Sequence, residues 1–333
     1  MINKTVHYET KTTVKNRIFS ILLVVCTTFA FAQQTAIPDA NFEQALINLG
    51  YDTGSPDGVV PTANINTIAT LNVSNNNIRS LRGIQDFEAL VILHCNQNNI
   101  SSLDLHNNHN LKELSCDENG LTRLNISGCQ RLEFLFCNAN QLTQLDVSNN
   151  RELRILSIYS NQLETLSVSN NRQLINLSCN NNNISTLDVS NNVLLETLNF
   201  GANNLETIDL KRLTRLEMLV CSVNNLTNLY VANNVKLKFL LCNVNQISLL
   251  DLRNLTSLSH FNASGNRNLS YINMHNNANK KMTLFDIRLC SPKLFCVVVD
   301  DAKWSTANWT NKDTHTNYYE KDCSKENMLP YGY

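Results

Sequence analysis

The sequence predicts a solenoid, in which short coils of chain stack and each coil adds one strand to a parallel β-sheet. The chain of 333 residues contains 54 Asn and 48 Leu but only 9 Gly and 5 Pro, which excludes collagen-like and Gly/Pro-rich disordered chains. An apolar residue recurs every 21 residues, and an Asn follows it three residues later. Self-similarity at a fixed period is the signature of a repeat architecture.

The repeating apolar position is mostly occupied by cysteine. Nine units hold the same register, with the consensus LxxLxCxxNxLxxLDVSNNxx, and a less regular unit precedes them around Val73. The marker positions are Cys95, Cys116, Cys137, Ile158, Cys179, Phe200, Cys221, Cys242 and Ala263. The asparagines that follow them are Asn98, Asn119, Asn140, Asn161, Asn182, Asn203, Asn224, Asn245 and Asn266.

Alternation of apolar residues within each unit predicts a short strand. Leu135 and Cys137 alternate with Phe134 and Phe136, so one pair faces inward and the other outward. A second alternating pair, Leu145 and Val147, predicts another extended segment in the same unit. One coil buries too little apolar surface to offset the entropy of ordering it, so coils must stack and their ends need caps.

The fixed Asn predicts a ladder of hydrogen bonds inside the turns of the coils. A turn leaves backbone groups facing the interior, and an Asn amide offers both donors and an acceptor. Scattered asparagines would only mark tolerant turn positions, whereas these nine keep one register. We therefore expect each Asn to bond to its own coil and to the neighbouring coil.

Residues 33–70 are interpreted as an N-terminal cap. Phe42, Ala45, Leu46 and Leu49 recur at helical spacing, and Gly50 follows as a stop signal. The next loop contains two Asp and two Gly, but its spacing does not match a calcium-binding loop, so we interpret it as a plain turn.

The repeats are expected to span residues 71–279, and residues 280–333 are expected to form an irregular last repeat and a C-terminal cap. The stretch Leu294–Val299 reads as the last strand. Trp304 and Trp309 lie beyond it and are suited to covering the exposed end of the core.

The repeat unit resembles the leucine-rich repeat, in the short form of internalin-like proteins. The form LxCxxNxLxxLDVSNN is similar to extracellular repeat proteins of Bacteroidota. Two flanking regions resemble the caps of that group: Ile37–Gly50 its N-terminal helix, and the segments 298–301, 307–310 and 322–324 its C-terminal cap. The resemblance implies a parallel sheet on a concave face, extended or turn segments on the convex side, and a short helical N-terminal cap.

Residues 1–32 are interpreted as a secretory signal peptide. A polar start ending in Lys15-Asn16-Arg17 precedes an apolar run of about 14 residues and an Ala30-Phe31-Ala32 cleavage pattern. A membrane-spanning helix would need about 20 residues, and a lipoprotein signal would use Cys26. We therefore expect an exported chain without a transmembrane segment, with an extracellular, cell-surface or periplasmic location.

The cysteines at the repeat position have three possible roles: disulfide pairing, metal binding, or packing as small buried side chains. Parallel Cβ vectors disfavour disulfides between neighbouring coils, and a straight row does not converge on a tetrahedral metal. Ile158, Phe200 and Ala263 substitute at the same position, which favours packing. Cys296 and Cys323 lie outside the repeats and are the best disulfide candidates, with Cys290 as a competitor.

The sequence contains no recognisable catalytic motif, so no enzymatic activity, cofactor or metal is predicted. The histidines occupy different repeat positions, without a nucleophile and carboxylate in a recognisable arrangement. The Asp of the LDVS segment recurs in several units, but other units carry Asn125, Ser167 or Tyr230 there, which favours a solvated row over a calcium ladder. The net charge of −1 disfavours a nucleic-acid partner.

The residues at the outward strand positions predict a surface that binds a partner. They form two apolar zones separated by polar residues, although outward positions should be polar unless something covers them. The candidate partner-binding residues are Phe134, Phe136, Ile155 and Tyr159 in the first zone and Met218, Val220, Val223, Phe239, Leu241 and Val244 in the second. We expect a protein or glycan ligand on the concave face; the alternative is a structural or surface-coat component that self-associates through this face.

Overall fold

The computed structural model describes residues 33–321 and residue 323. Over this range the chain is a leucine-rich-repeat solenoid dominated by an eleven-stranded parallel sheet, as the sequence predicted. The predicted signal peptide, residues 1–32, lies outside the described residues.

Strands of the main sheet are three residues long and follow one another along the chain, apart from four intervening strands that belong to other sheets. Each pairs in parallel with the strand of the next coil. The eleven strands are β3 Thr70–Asn72, β4 Ile92–His94, β6 Glu113–Ser115, β8 Phe134–Phe136, β9 Ile155–Ser157, β10 Asn176–Ser178, β11 Thr197–Asn199, β12 Met218–Val220, β13 Phe239–Leu241, β15 His260–Asn262 and β17 Leu284–Asp286.

Each of these strands buries its central residue, and eight of the eleven leave both outer residues partly exposed. The central residue is Leu in nine strands and Phe in the last two, and all of them belong to one continuous core. The register aligns Leu135 with Leu156 and Leu156 with Leu177. This alignment follows from the 21-residue period, because a coil of constant length returns the same side chain to the same face.

The opposite side of the solenoid is paired only near its ends. Strands β5 Ser102–Asp104 and β7 Arg123–Asn125 form one pair. A four-stranded sheet contains β14 Leu249–Asp251, β16 Tyr271–Asn273, β18 Cys296–Val298 and β19 Asn317–Tyr319. The predicted second extended segment therefore forms a paired strand in the first and last coils, while the segment around Leu145 and Val147 is not paired.

Clefts lie on the side of the solenoid opposite the main sheet. They have volumes of about 490 Å³ and 640 Å³, and both are lined by Thr165 and Ser167. On the other side, strand pairing holds the coils about 4.8 Å apart. The eleven-stranded sheet is the concave face of the leucine-rich-repeat fold.

The N-terminal cap combines a helix and a two-stranded antiparallel sheet. Strands β1 Gln34–Ala36 and β2 Val59–Pro61 pair in antiparallel fashion. Helix α1, Ala40–Asn48, is capped by the preceding Asp39, whose carboxylate accepts hydrogen bonds from two backbone N–H groups of the first turn. Phe42 and Leu46 are fully buried, but Leu49 is exposed, contrary to the helical-spacing prediction, because the helix ends at Asn48. A short helix α2, Thr62–Ile65, leads into β3.

Aromatic side chains close the C-terminal end of the core. Trp309 stacks on Phe285 with ring centroids 4.1 Å apart and an interplanar angle of 9°, and it follows helix α3, Ala302–Asn308. Trp304 is partly buried against the same core. The prediction that Leu294–Val299 holds the last strand is wrong, because β19 pairs beyond β18 and becomes the edge of the four-stranded sheet.

Candidate functional site

The outward side chains of the concave sheet form three parallel rows, here called the strand face. The first two rows are the outer residues of each strand, and the third is the residue two positions after each strand. The pairing register fixes these rows, since Phe134, Ile155 and Asn176 stand side by side in the first. Side chains on different coils therefore form one continuous surface.

The first apolar zone lies on β8 and β9. Phe134 and Phe136 flank the fully buried Leu135 and are themselves half-buried, as is Ile155 on the next strand. Tyr159 was also predicted as an outward strand residue, but it lies two positions after β9, in the third row, with 41% of its surface exposed. The structure thus brings these four predicted residues together on adjacent coils.

The second apolar zone lies on β12 and β13. Met218 pairs with Phe239, and Val220 pairs with Leu241, which places four half-buried apolar side chains side by side. Phe239 also stacks on His260 of the following strand, with ring centroids 4.3 Å apart. This zone is separated from the first by β10 and β11, whose outward residues are polar.

Val223 and Val244 do not lie on strands, which corrects the prediction that they are outward strand residues. Both are in the turn after the strand, with φ of 56° and 54°, and each is 48% exposed. A β-branched residue in the left-handed region is an outlier, and other coils carry Asn181 or Ala202 at this position. The two valines form an apolar rim at the edge of the second zone.

Polar residues on the N-terminal side of the first zone are linked by hydrogen bonds across the coils. The Oδ1 atom of Asn96 accepts from the Ser115 hydroxyl at 2.9 Å and from the Asp117 backbone N–H at 2.7 Å. Asp117 accepts in turn from the backbone N–H of Asn138 at 2.7 Å. Burial nevertheless raises the pKa of the Asp117 carboxyl above its ordinary value. The hydrogen-bonding groups of these residues are therefore already used within the protein.

The polar side chains between the two zones make few hydrogen bonds with the rest of the protein. We call this group of residues the open middle. Within residues 33–321 and residue 323, the side chains of Asn176, Ser178, Asn180 and Thr197 make no hydrogen bond, although all are partly buried. Asn199 accepts from the backbone N–H of Gly201 through Oδ1, at 3.1 Å, and its Nδ2 group is free. The open middle therefore presents unused donors and acceptors.

The nine repeat asparagines each connect two coils. Nδ2 of Asn182 donates to the carbonyl oxygens of Ile158 and Cys179 at 3.0 Å and 3.1 Å, and Oδ1 accepts from the N–H of Leu163 at 3.0 Å. The same pattern recurs from Asn119 to Asn266. Most of these side chains are buried, so the amides satisfy backbone groups that water cannot reach.

A second row of asparagines was missed in the sequence. Asn108, Asn150, Asn171, Asn192 and Asn234 are fully buried, and each donates through Nδ2 to two backbone carbonyls of the preceding coil. Among the residues that the structure describes, no group donates to their Oδ1 atoms. The signal was present, because these residues are the second Asn of the LDVSNN segment and share the 21-residue period.

Cys129 takes the place of an Asn in this second row. Its thiol donates to the carbonyl oxygen of Leu105 at 3.3 Å, an acceptor 24 residues earlier, and Asn150 donates to Ile126 across the same separation. Burial raises the pKa of Cys129 to about 12. The thiol therefore serves as a buried donor.

The repeat cysteines are free and buried, as are Cys129 and Cys290. Burial raises the pKa of Cys95 and of Cys179 to about 12. Cys296 and Cys323 are joined in a disulfide with their Cα atoms 6.1 Å apart, which leaves Cys290 outside the pair.

The described residues contain neither a metal-binding cluster nor a membrane-spanning helix. Between residues 33 and 321, no three His, Cys, Asp or Glu side chains are grouped so that they could hold a metal ion. In the same part of the chain, every helix is too short or too polar to cross a membrane.

Comparisons with known proteins point to the fold. No protein-family model and no curated protein matches the chain. The functional domain of InlJ from Listeria monocytogenes, which includes a cysteine ladder, is 29% identical over 80% of this chain and 71% of that chain, with a TM-score of 0.52. Internalin C2 from the same species is 26% identical over 68% of this chain and 96% of that chain, with a TM-score of 0.50.

A plant protein shares the fold at lower identity. The leucine-rich-repeat ectodomain of the Arabidopsis thaliana receptor kinase GASSHO1/SCHENGEN3, in complex with CASPARIAN STRIP INTEGRITY FACTOR 2, is 23% identical with a TM-score of 0.58. The match covers 72% of this chain and 32% of that chain. The protein is a leucine-rich-repeat solenoid whose structural neighbours include internalin-like proteins.

Proposed function

We propose that this protein is an exported binding protein, without enzymatic activity, that holds a macromolecular partner on its strand face. The observation that carries the proposal is the pattern of this face: two half-buried apolar zones flank polar groups whose hydrogen-bonding capacity is unused. Apolar anchors in a sheltered concavity are typical interface hot spots. Free polar groups beside them supply the directional contacts that make binding specific.

Two features make a purely structural explanation of this surface insufficient. The inward leucines and most residues of the Asn rows are buried, whereas outward apolar residues such as Phe136 and Leu241 remain partly exposed. Val223 and Val244 keep an unfavourable backbone conformation while exposing apolar surface. Strained residues of this kind are found preferentially at ligand-contacting sites.

Export is supported by the N-terminal segment and by the disulfide. Residues 1–32 have the composition of a secretory signal, and disulfides such as Cys296–Cys323 persist in oxidising compartments. Fractionation of the source cells, with mass spectrometry of the N-terminus, tests this part. A mature chain that begins at Gln33 outside the cytoplasm supports export, and an intact N-terminus in the cytoplasm contradicts it.

The binding proposal is tested by capture with matched variants. The wild-type protein, Phe136→Asp, Leu241→Asp and the convex-side control Ser167→Asp are immobilised and exposed to extracellular extracts. Ser167 is exposed, and the neighbouring coils accommodate Asp146 and Asp188 at its position, so this control adds the same charge on the convex side. A component that is held by the wild type and the control, but lost by both concave variants, supports the proposal.

Self-association through the strand face is the competing function. The same apolar zones would then be covered by a second copy of the chain, as in a surface coat. Sedimentation of the purified protein separates the two functions. A stable oligomer that dissociates in Phe136→Asp, with no captured partner, favours the coat component.

A further inference from the structure

We infer that the partner binds as an extended peptide segment, laid across β9 to β12 with one apolar side chain in each zone. The inference rests on the proposed function of the strand face and specifies its ligand. It is carried by three observations: the open middle, the distance between the zones, and two charges at the edge of the sheet.

The open middle suits a peptide backbone. An extended segment that leaves water brings one N–H and one C=O group per residue, and each needs a partner. Asn176 and Asn180 offer amides with both donors and acceptors, and Ser178 and Thr197 offer hydroxyls, all free of protein partners among the described residues. These groups lie on adjacent coils, so they can follow a chain that crosses the strands.

The separation of the zones sets the spacing of the anchors. Three pairing steps lead from β9 to β12, and five lead from β8 to β13. At about 4.8 Å per step these distances are about 14 Å and 24 Å. An extended peptide rises about 3.3 Å per residue, so its two apolar residues should lie about four to seven positions apart.

Charges at the edge of the strand face distinguish a peptide from a glycan. The residue just before each strand forms a row in which Lys112 pairs with Glu133 at 3.0 Å and Lys238 pairs with Glu217 at 2.7 Å. Between these pairs stand Arg154 and Glu196, both exposed and without an ion-pair partner in the described chain. The two unpaired charges have opposite sign and border the open middle.

A ligand that satisfies both charges must itself carry an acidic and a basic group. Arg154 and Glu196 are two coils apart, which corresponds to about 10 Å or about three residues of extended peptide. The acidic group would lie beside the anchor of the first zone and the basic group toward the anchor of the second. A neutral or uniformly acidic glycan would leave Glu196 unmatched and would not fill two separate apolar zones.

The test is selection from a phage-displayed library of random peptides of about twelve residues, a length that exceeds the span of the face. The wild-type protein is compared with the charge-reversed double variant Arg154→Glu, Glu196→Arg. The control reverses a neighbouring pair on the outer turn, Arg151→Glu with Glu152→Arg, where both residues are exposed. Selected peptides are synthesised and their dissociation constants are measured by fluorescence polarisation.

We expect the wild type and the control to select peptides with two apolar residues at the stated spacing and an acidic and a basic residue between or beside them. These peptides should bind the charge-reversed variant at least tenfold more weakly, and peptides with the two charges exchanged should recover that loss. Selection of peptides without this pattern, or equal binding by the wild type and the charge-reversed variant, overturns the inference.

Failure of the peptide inference can be distinguished from failure of the proposed binding function. If a partner is captured through Phe136 and Leu241 but no peptide is selected, or if a panel of neutral and acidic glycans binds instead, the peptide inference fails and the binding face stands. If selected peptides lose affinity for Ser167→Asp and not for Phe136→Asp, the ligand lies on the convex side and both proposals fail.

Discussion

Replacing Asn182 with Ala should destabilise the solenoid by about 2 kcal/mol. The substitution removes the acceptor of the Leu163 N–H, at 3.0 Å, and the donor to the Ile158 carbonyl, at 3.0 Å. The Ile158 carbonyl keeps a second donor, Asn161, at 3.2 Å, and the Cys179 carbonyl keeps Asn203 at 3.0 Å. One buried backbone group, the Leu163 N–H, is therefore left without a protein partner, which costs about 1–3 kcal/mol.

The matched control is Asn183→Ala. Asn183 is exposed in the same coil, and its side chain makes no hydrogen bond among the described residues. The exposed neighbour Asn181 is unsuitable, because its φ of 55° would place Ala in the left-handed region and add strain. Urea unfolding gives the change in midpoint, and hydrogen exchange of the Leu163 amide reports the local loss. Equal midpoints for the two variants would refute the ladder argument.

Three further predictions concern the interior and the rim. Alkylation of the folded protein at pH 8 should spare Cys95 and Cys179, because burial raises their pKa to about 12 and keeps them protonated; mass spectrometry should find only the Cys296–Cys323 disulfide, and a cross-link among the repeat cysteines would contradict the packing role. Val223→Asn should raise the free energy of unfolding by about 1 kcal/mol, since Asn tolerates left-handed φ; an unchanged or lowered value would show that the valine conformation is not strained. Asn171→Leu should cost at least about 1 kcal/mol less than Asn161→Leu, because Oδ1 of Asn171 is unpaired and Leu213 already occupies this row; equal losses would mean that the two Asn rows contribute alike.

The repeat period fixed most of the fold in advance, because stacking coils of equal length leaves little freedom in register. The inward Leu135 and the outward Phe136 could be assigned from alternation alone. The second Asn row could also have been found, since Asn150 and Asn171 keep the same period as Asn140 and Asn161.

Other features depend on backbone conformation or on pairing that the repeat does not encode. Val223 and Val244 lie three residues after their strands, outside the alternation by two, and left-handed turns place them at the rim. The prediction that Leu49 lies on the buried face of the helix was also wrong, because the helix ends one residue earlier, at Asn48. Whether a polar side chain is free, as at Asn180, or occupied, as at Asn138, is decided by its neighbours on other coils.

The most direct test of the central claim is the affinity of Phe136→Asp and Leu241→Asp for the captured partner, relative to wild type and Ser167→Asp. Each concave variant should lose about 2 kcal/mol or more, which is about 30-fold in dissociation constant, while circular dichroism shows that the solenoid stays folded. Leu135→Asp should instead unfold it, because that side chain is fully buried. Full affinity in both concave variants, or a loss only in Ser167→Asp, would contradict the claim that the strand face is the binding surface.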